Sequence, residues 1–209
     1  VTRAKILICT PNPYIRSIEF TKQQDLIVNA APCKTTIKHG ELMQARLANK
    51  HVFITGGTRG MGAAHAMVLA QHGAKVHIAD VLHDEGRKLA AQAREDGLAI
   101  HYLELDVTSE QSWQDAVQAA EERWGDINVL VNNAGITGQP GGFAIEDPQF
   151  WDRTIAVNQT GVYLGMRAVV PSMQRAGVGS IVNISSILGF VGDSEYFAYN
   201  ASKGALLTM

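Results

Sequence analysis

From residue 50 onward, short apolar runs alternate with stretches whose apolar positions recur at helical spacing. The runs at 52–54, 76–79, 100–103, 129–131 and 180–184 carry no charge and read as buried strands. Between them the pattern predicts helices over 61–72, 84–96, 110–124 and 157–176. Thr108 or Ser109 is placed to cap the third helix, and Gly73, Gly97, Gly125 and Gly177 stand just past the four ends. Strands that are apolar throughout need cover on both faces. The alternation therefore predicts an α/β fold with three layers, a doubly wound parallel sheet between two sets of helices.

The first 42 residues show no clear period. Pro11, Pro13 and Pro32, with the polar run 34–41, predict an extension without regular structure, so the chain divides into 1–45 and a domain at 46–209. Met43 reads as the natural start, because Gln44 to Leu47 then forms a short lead-in to the first strand. No basic start, apolar stretch and small-residue cleavage site follow one another, so a signal peptide is not expected.

Composition narrows the function classes. The chain is 46% hydrophobic with a formal net charge of −2, as expected of a globular domain with one substantial core. A basic excess that would attract nucleic acid or an anionic membrane is absent, and no apolar run approaches the roughly 20 residues of a membrane span. Both cysteines, Cys9 and Cys33, precede the domain, which suits a reducing cytoplasm. The seven histidines lack ligand spacing, so no metal is expected, and His65, His72 and His77 read as helix or strand residues.

The chemistry is concentrated in two motifs. Thr55-Gly56-Gly57-Thr58-Arg59-Gly60-Met61-Gly62 follows the first strand and opens the first helix. Glycines there permit positive φ and close backbone approach, so the helix-start amides can face a pyrophosphate. The spacing is G-x-x-x-G-x-G, which meets the general dinucleotide fingerprint only approximately. Asp80, about 20 residues on at the end of the second strand, is placed to accept from ribose hydroxyls; alone it also reads as a helix-capping aspartate.

The second motif is Tyr199-Asn200-Ala201-Ser202-Lys203, with Ser186 thirteen residues before the tyrosine. Positions i and i+4 share a helix face, so the Lys203 ammonium can lie beneath the Tyr199 phenol, and a neighbouring cation favours phenolate. Tyr199 could then exchange a proton with an alcohol or ketone while Ser186 holds the oxygen. Taken alone, Tyr-x-x-x-Lys also describes an ordinary solvated helix face.

With Asp106 in Leu105-Asp106-Val107, Asn132-Asn133-Ala134-Gly135, and Asn158 after Val157, these motifs stand in one order, and together they resemble the short-chain dehydrogenase/reductase family in its classical subgroup. The resemblance runs from about Leu47 to Met209. It implies a Rossmann-type domain that moves hydride between a nicotinamide cofactor and a CH–OH group. It implies a catalytic set of Asn158, Ser186, Tyr199 and Lys203, with Asn158 holding a water that links Lys203 to solvent. Cofactor contacts are implied for Gly56, Thr58, Arg59, Gly60, Met61, Gly62, Asp80, Asp106, Val107, Asn133, Ala134, Gly135, Tyr199 and Lys203, with Asp106 on the adenine amino group. A bare reading of Asn158 is simply a helix interruption.

Charge argues for NAD over NADP, because a carboxylate at 80 repels a 2′-phosphate. Arg59 points the other way, as NADP-using relatives often carry a basic residue there. The pattern around Ser186 is similar to that in hydroxysteroid and cyclic secondary-alcohol dehydrogenases. The expected substrate is therefore a secondary alcohol or ketone of the hydroxysteroid or cyclic kind, with residues 136–143 and 187–197 either lining an apolar pocket or only packing their own loop. An NADPH-dependent 3-oxoacyl thioester reductase and a non-catalytic nucleotide-binding fragment are the alternatives. Family members usually continue past the Tyr/Lys helix with further strands and a substrate-covering loop. The 209-residue chain is accordingly expected to lack C-terminal elements, to expose its fifth strand, and to be weakly stable and poorly active. Full-length relatives generally form homodimers or homotetramers, which is the expectation for a longer form.

Overall fold

The structure is a computed structural model that describes residues 46–138, 140–141 and 147–209, together with the backbone of four strands earlier in the chain. It divides into two compact units, Val1–Ala48 and Asn49–Met209.

In the first unit, β1 (Ala4–Ile6), β2 (Ile15–Phe20), β3 (Leu26–Ala30) and β4 (Lys34–Ile37) form an antiparallel sheet in that order. This differs from the extension without regular structure that the sequence suggested. The strands are rich in β-branched residues, among them Ile15, Ile18, Ile27, Val28, Thr35 and Thr36, which favour extended backbone. The three prolines fall between the strands in sequence. Met43, Cys9 and Cys33 lie outside the described residues.

In the second unit, β5 (His51–Thr55), β6 (Lys75–Asp80), β7 (Ile100–Glu104), β8 (Val129–Asn132) and β9 (Ser180–Asn183) form a wholly parallel sheet ordered β7-β6-β5-β8-β9. The chain winds outward from β5 to β7 and then returns to place β8 on the other side of β5. This reversal opens a crevice at the carboxyl ends of β5 and β8, the position where open α/β sheets take ligands.

The helices are α1 (Gly60–Gln71), α2 (His83–Glu95), α3 (Glu110–Trp124), α4 (Pro148–Ile155), α5 (Gly161–Ala176) and α6 (Phe197–Ala205). Alternation along the strands sends Val52, Ile54, Val76 and Ile78 to one face, and all four are fully buried there. Phe53, Ala79, Leu103 and Leu130 join the core cluster with Trp113, Ala116 and Ala120 of α3 and Val169 and Met173 of α5. Trp113 anchors that layer. Its indole N–H donates to the Val107 carbonyl at 3.0 Å, and its ring lies 5.6 Å from that of Phe53. Gly165 lets α5 approach, since a Cβ there would stand 2.7 Å from the Trp113 ring and 2.8 Å from Asn132 Oδ1.

One boundary differs from expectation. The fourth predicted helix, 157–176, begins earlier: Asp147 caps α4 by accepting from the Gln149 N–H at 2.9 Å, and Pro148 takes a first-turn position where its missing N–H costs nothing. A π-helical turn, Ala156–Thr160, then joins α4 to α5. The fifth strand, apolar in pattern like the buried ones and expected from the family resemblance to be exposed, is exposed, with Ile181 at 37% and Val182 at 44%. Among the described residues β9 pairs on one side only, with β8, so it forms the sheet edge. No helix among the described residues is long and apolar enough to cross a membrane.

At the opposite end of the sheet from the crevice, His51, His77 and His101 come together from β5, β6 and β7. His77 is fully buried, with its ring 5.0 Å from His51, 5.4 Å from His101 and 4.4 Å from Trp124 at the end of α3. Neither ring nitrogen of His77 has a hydrogen-bond partner. Burial, then the neighbouring His51, His101 and Arg123, push its pKa from 6.5 down to about 2. The folded chain therefore leaves His77 neutral over a range where the unfolded chain binds a proton. Stability from this site is complete above pH 6.5 and drains away as pH falls toward 2, at up to about 1.4 kcal/mol per pH unit. Urea unfolding at pH 7.5 and pH 5.5 should register that loss, and His77→Leu should shrink the difference between the two curves.

Candidate active site

The crevice is a cleft of about 670 Å³ at the carboxyl ends of β5 to β8. Its floor begins with the turn between β5 and α1. Gly56 and Gly60 adopt φ of 62° and 54°, in the left-handed region that favours glycine. The Gly56 N–H donates to the Ala79 carbonyl at 2.8 Å, tying the turn to β6. A Cβ on Gly56 would stand 2.8 Å from Ala134 Cα, and one on Gly62 would collide with the Gly56 carbonyl oxygen. The glycines are thus required by packing of the protein on itself, and they leave the helix-start amides of α1 open to the cleft.

Asn133 fastens this turn to the end of β8. Its side-chain amide donates to the carbonyls of Thr55 and Gly56, each at 3.0 Å, while the Asn133 and Ala134 backbone N–H groups both donate to Thr55 Oγ1 at 3.0 Å. Asn132, next to it, points into the core and donates to Asn183 Oδ1 at 2.9 Å, linking β8 to β9.

The walls hold most of the sequence-predicted contact residues. Gly56, Arg59, Gly60, Met61 and Gly62 line the cleft from the turn, and Asp80 from the end of β6. Asp106 and Val107 line it from the loop after β7, and Asn133, Ala134 and Gly135 from the loop after β8. Tyr199 and Lys203 do not line the cleft, and neither does Thr58. Thr58 is buried and donates its hydroxyl to Asp80 Oδ2 at 2.7 Å. Asp106 Oδ1 accepts from the Thr108 N–H at 2.9 Å and its hydroxyl at 2.7 Å, so this carboxylate also shapes its own loop. Ile136, from the range expected around the substrate, lines the cleft, and so do Val81, Leu82, Arg153 and Val157, to which the sequence reading gave no role. For Arg153 the usable clue was Asp147-Pro148, which starts the helix that carries it.

Asn158 sits in the π-helical turn, fully buried. Its Oδ1 accepts from the Ile136 N–H at 2.8 Å, and its Nδ2 donates to the Ile136 carbonyl at 2.8 Å and to Ser202 Oγ at 3.0 Å. The Ser202 hydroxyl donates in turn to the Tyr199 carbonyl at 2.8 Å. One amide thereby joins the loop after β8 to α6, the helix of Tyr199 and Lys203. The helix interruption and the tie to that pair are one feature, because the widened turn is what aims Asn158 inward.

Lys203 is 4% exposed, and its ammonium donates to the Ile184 carbonyl at 2.6 Å and lies 5.7 Å from the centre of the Tyr199 ring. Burial lowers its pKa below the usual lysine value. A Cβ on Gly135 would stand 3.3 Å from Asn158 Oδ1 and 3.5 Å from Lys203 Nζ, so the three positions converge. Ser186 caps a short 3₁₀ turn, Ile187–Gly189, and its Oγ accepts from the Leu188 N–H at 3.1 Å. The neighbouring Ser185 donates to the Lys203 carbonyl at 2.8 Å, which holds this segment on α6.

Of the apolar side chains expected around the substrate, Ile187, Phe190 and Val191 are exposed, Phe190 at 74%, while Phe197 lies 5.8 Å ring to ring from Trp151. Gly142 and Phe143 lie outside the described residues. No group of three or more His, Cys, Asp or Glu residues among the described ones is arranged to hold a metal ion.

Comparison with known proteins places this arrangement in context. A family model described as short chain dehydrogenase matches residues 50–209. The chain is 51% identical over 167 residues to a trans-4-hydroxycyclohexanecarboxylate dehydrogenase of Sinomonas cyclohexanicum, covering 76% of this chain and 62% of that protein. It is 44% identical over 166 residues to a 3-alpha-(or 20-beta)-hydroxysteroid dehydrogenase of Mycobacterium bovis, covering 78% of this chain and 62% of the relative. Among solved structures, a gluconate 5-dehydrogenase from Burkholderia cenocepacia in complex with NADP and tartrate superposes with a TM-score of 0.75 at 33% identity, over 80% of this chain and 65% of that one. NAD+-bound xylitol dehydrogenase superposes with a TM-score of 0.75 at 30% identity, over 78% of this chain and 63% of that one. The chain thus spans less than two thirds of the length of each.

Asn158→Ala strips the part-buried Ile136 amide and carbonyl, and Ser202 Oγ, of their Asn158 partner. It should destabilise the domain by about 2–4 kcal/mol, read from the midpoint of urea unfolding.

Proposed function

The chain belongs to the short-chain dehydrogenase family, and from that premise we propose that the protein oxidises a secondary alcohol, cyclic or steroidal, or reduces the matching ketone, with NAD(H) as cofactor. The observation that carries this reading is that Gly135, which lines the same cleft as the glycine turn and Asp80, converges with Asn158 and with Lys203 beside the Tyr199 ring.

The residues fit a dinucleotide. The open amides at the start of α1 suit a pyrophosphate, with the helix dipole assisting. Asp80 accepts from ribose hydroxyls, Asp106 and Val107 flank the adenine end, and the small residues Ala134 and Gly135 leave room for a flat ring over the end of β8. A bound nicotinamide supplies the hydride acceptor, or the donor in reverse.

This chain's own groups handle the proton and the oxygen. Tyr199 removes the hydroxyl proton as the carbonyl forms and returns it in the opposite direction. Ser186 holds the substrate oxygen by a hydrogen bond. Lys203, fixed to the Ile184 carbonyl, places its positive charge by the Tyr199 ring, where it stabilises negative charge left on the phenol oxygen. Asn158 keeps α6 in register with the loop after β8, so that the proton-handling end and the cofactor end stay in one frame. NAD is favoured because Asp80 lines the cleft on the wall where the ribose would lie, whereas the exposed Arg59 can turn to solvent.

Names of relatives supply the first substrates to try. Oxidation of 4-hydroxycyclohexanecarboxylate and of a 3α-hydroxysteroid, followed by NADH absorbance, should detect turnover in at least one case. Tyr199→Phe should lower that rate at least about 100-fold, since the group that exchanges the proton is lost. An active Tyr199→Phe enzyme would sink the assignment.

A further inference from the structure

We propose that Thr58 is a positioning residue for cofactor choice: its hydroxyl holds the Asp80 carboxylate at the ribose end of the cleft and away from Arg59, favouring a ribose 2′-hydroxyl over a 2′-phosphate. The inference rests on the reading of Asp80 given above and extends it to a residue that does not line the cleft.

Three donors of this chain converge on Asp80. Thr58 gives its hydroxyl to Oδ2 at 2.7 Å and its backbone N–H to the same oxygen at 3.4 Å, and the Leu82 N–H reaches Oδ1 at 3.3 Å. The hydroxyl bond is the short one. An O–H donor to a carboxylate at this distance is charge-assisted and stronger than a neutral pair, whereas the two backbone contacts are long. A carboxylate offers about four lone-pair sites, so acceptor capacity remains for ribose hydroxyls.

Thr58 is itself held in place. It is 6% exposed, and a Cβ on the preceding Gly57 would stand 2.8 Å from Ile78 Cβ, so the turn is seated directly on β6. Arg59 is the next residue, exposed and lining the same cleft as Asp80. No ion pair joins Arg59 to Asp80 among the described residues. The stronger Coulombic partner is adjacent in sequence, and yet the carboxylate is committed to a neutral hydroxyl.

Remove that hydroxyl, and Asp80 keeps only two long backbone contacts and is free to rotate toward Arg59. Such a pair would neutralise the charge that repels a 2′-phosphate and would occupy the acceptors that a ribose hydroxyl needs. Both effects act in one direction. Binding of NADH weakens, and discrimination against NADPH falls.

The test is a fluorescence titration of the full 209-residue chain, and of its Thr58→Ala and Thr58→Ser variants, with NADH and separately with NADPH. Thr58→Ala should move the ratio of the two dissociation constants toward NADPH by about tenfold, and Thr58→Ser should retain the original ratio because it keeps the hydroxyl. An unchanged ratio in Thr58→Ala, or equal weakening of both cofactors, would overturn the proposal, since a purely structural role weakens both alike. The ratio of the unmodified chain tests a different point. Preference for NADPH there defeats the NAD reading, while the shift caused by Thr58→Ala still decides the role of Thr58.

Discussion

Close contact between the β5–α1 turn and the end of β8 is the constraint on which the rest of the domain depends. These two segments leave adjacent central strands, and they can meet only because Gly56 and Gly62 present no side chain toward Ala134 and toward each other. Asn133 then satisfies the two carbonyls that this approach would bury, those of Thr55 and Gly56. The turn is held from its other side by the Gly56 amide bond to Ala79 on β6. Three strand ends are thus joined into one rigid floor, and the cleft exists because that floor is low.

A second tie gives the site its other half. Helix α6 reaches the floor through Asn158, whose amide satisfies both backbone groups of Ile136 and a hydroxyl of α6 at once. A regular helix through residues 156–160 would turn this side chain elsewhere, so the π-helical turn is the backbone adjustment that the tie requires. Lys203 is buried by the same packing. Its ammonium is drawn to the Ile184 carbonyl and not into solvent, which fixes where positive charge stands beside Tyr199.

The two ends of the sheet divide the work. At the carboxyl ends, polar groups are tied into small networks that leave a cavity. At the amino ends, His51, His77 and His101 pack in tilted and edge-on contacts around Trp124, and unpartnered ring nitrogens are tolerated there because burial keeps the rings neutral. The cost of that arrangement is a sensitivity of stability to acid, which lies far from the groups that would handle substrate.

Much of this was legible in the chain itself. Parallel strands at 52–54, 76–79, 100–103 and 129–131, the glycine turn, Asp80 and the Tyr199/Lys203 pair follow from local pattern, because hydrophobic period and glycine placement act within a few residues. The sequence by itself determined the class of fold and the types of group available at the site. Tertiary structure alone decided how those groups are committed. Thr58, an expected cofactor contact, is engaged with Asp80; Asn158, an expected member of the catalytic set and a helix interruption on its bare pattern, is a three-way link; the run at 180–184, apolar like the buried strands, lies at an edge. The first 45 residues lacked a clear period and yet carry four strands, since β-branched content favours extended backbone without specifying which strands pair. In each case the deciding partner lies tens of residues away or on another strand. Long-range hydrogen bonds and burial depend on where the chain returns to, and no local pattern of residues encodes that.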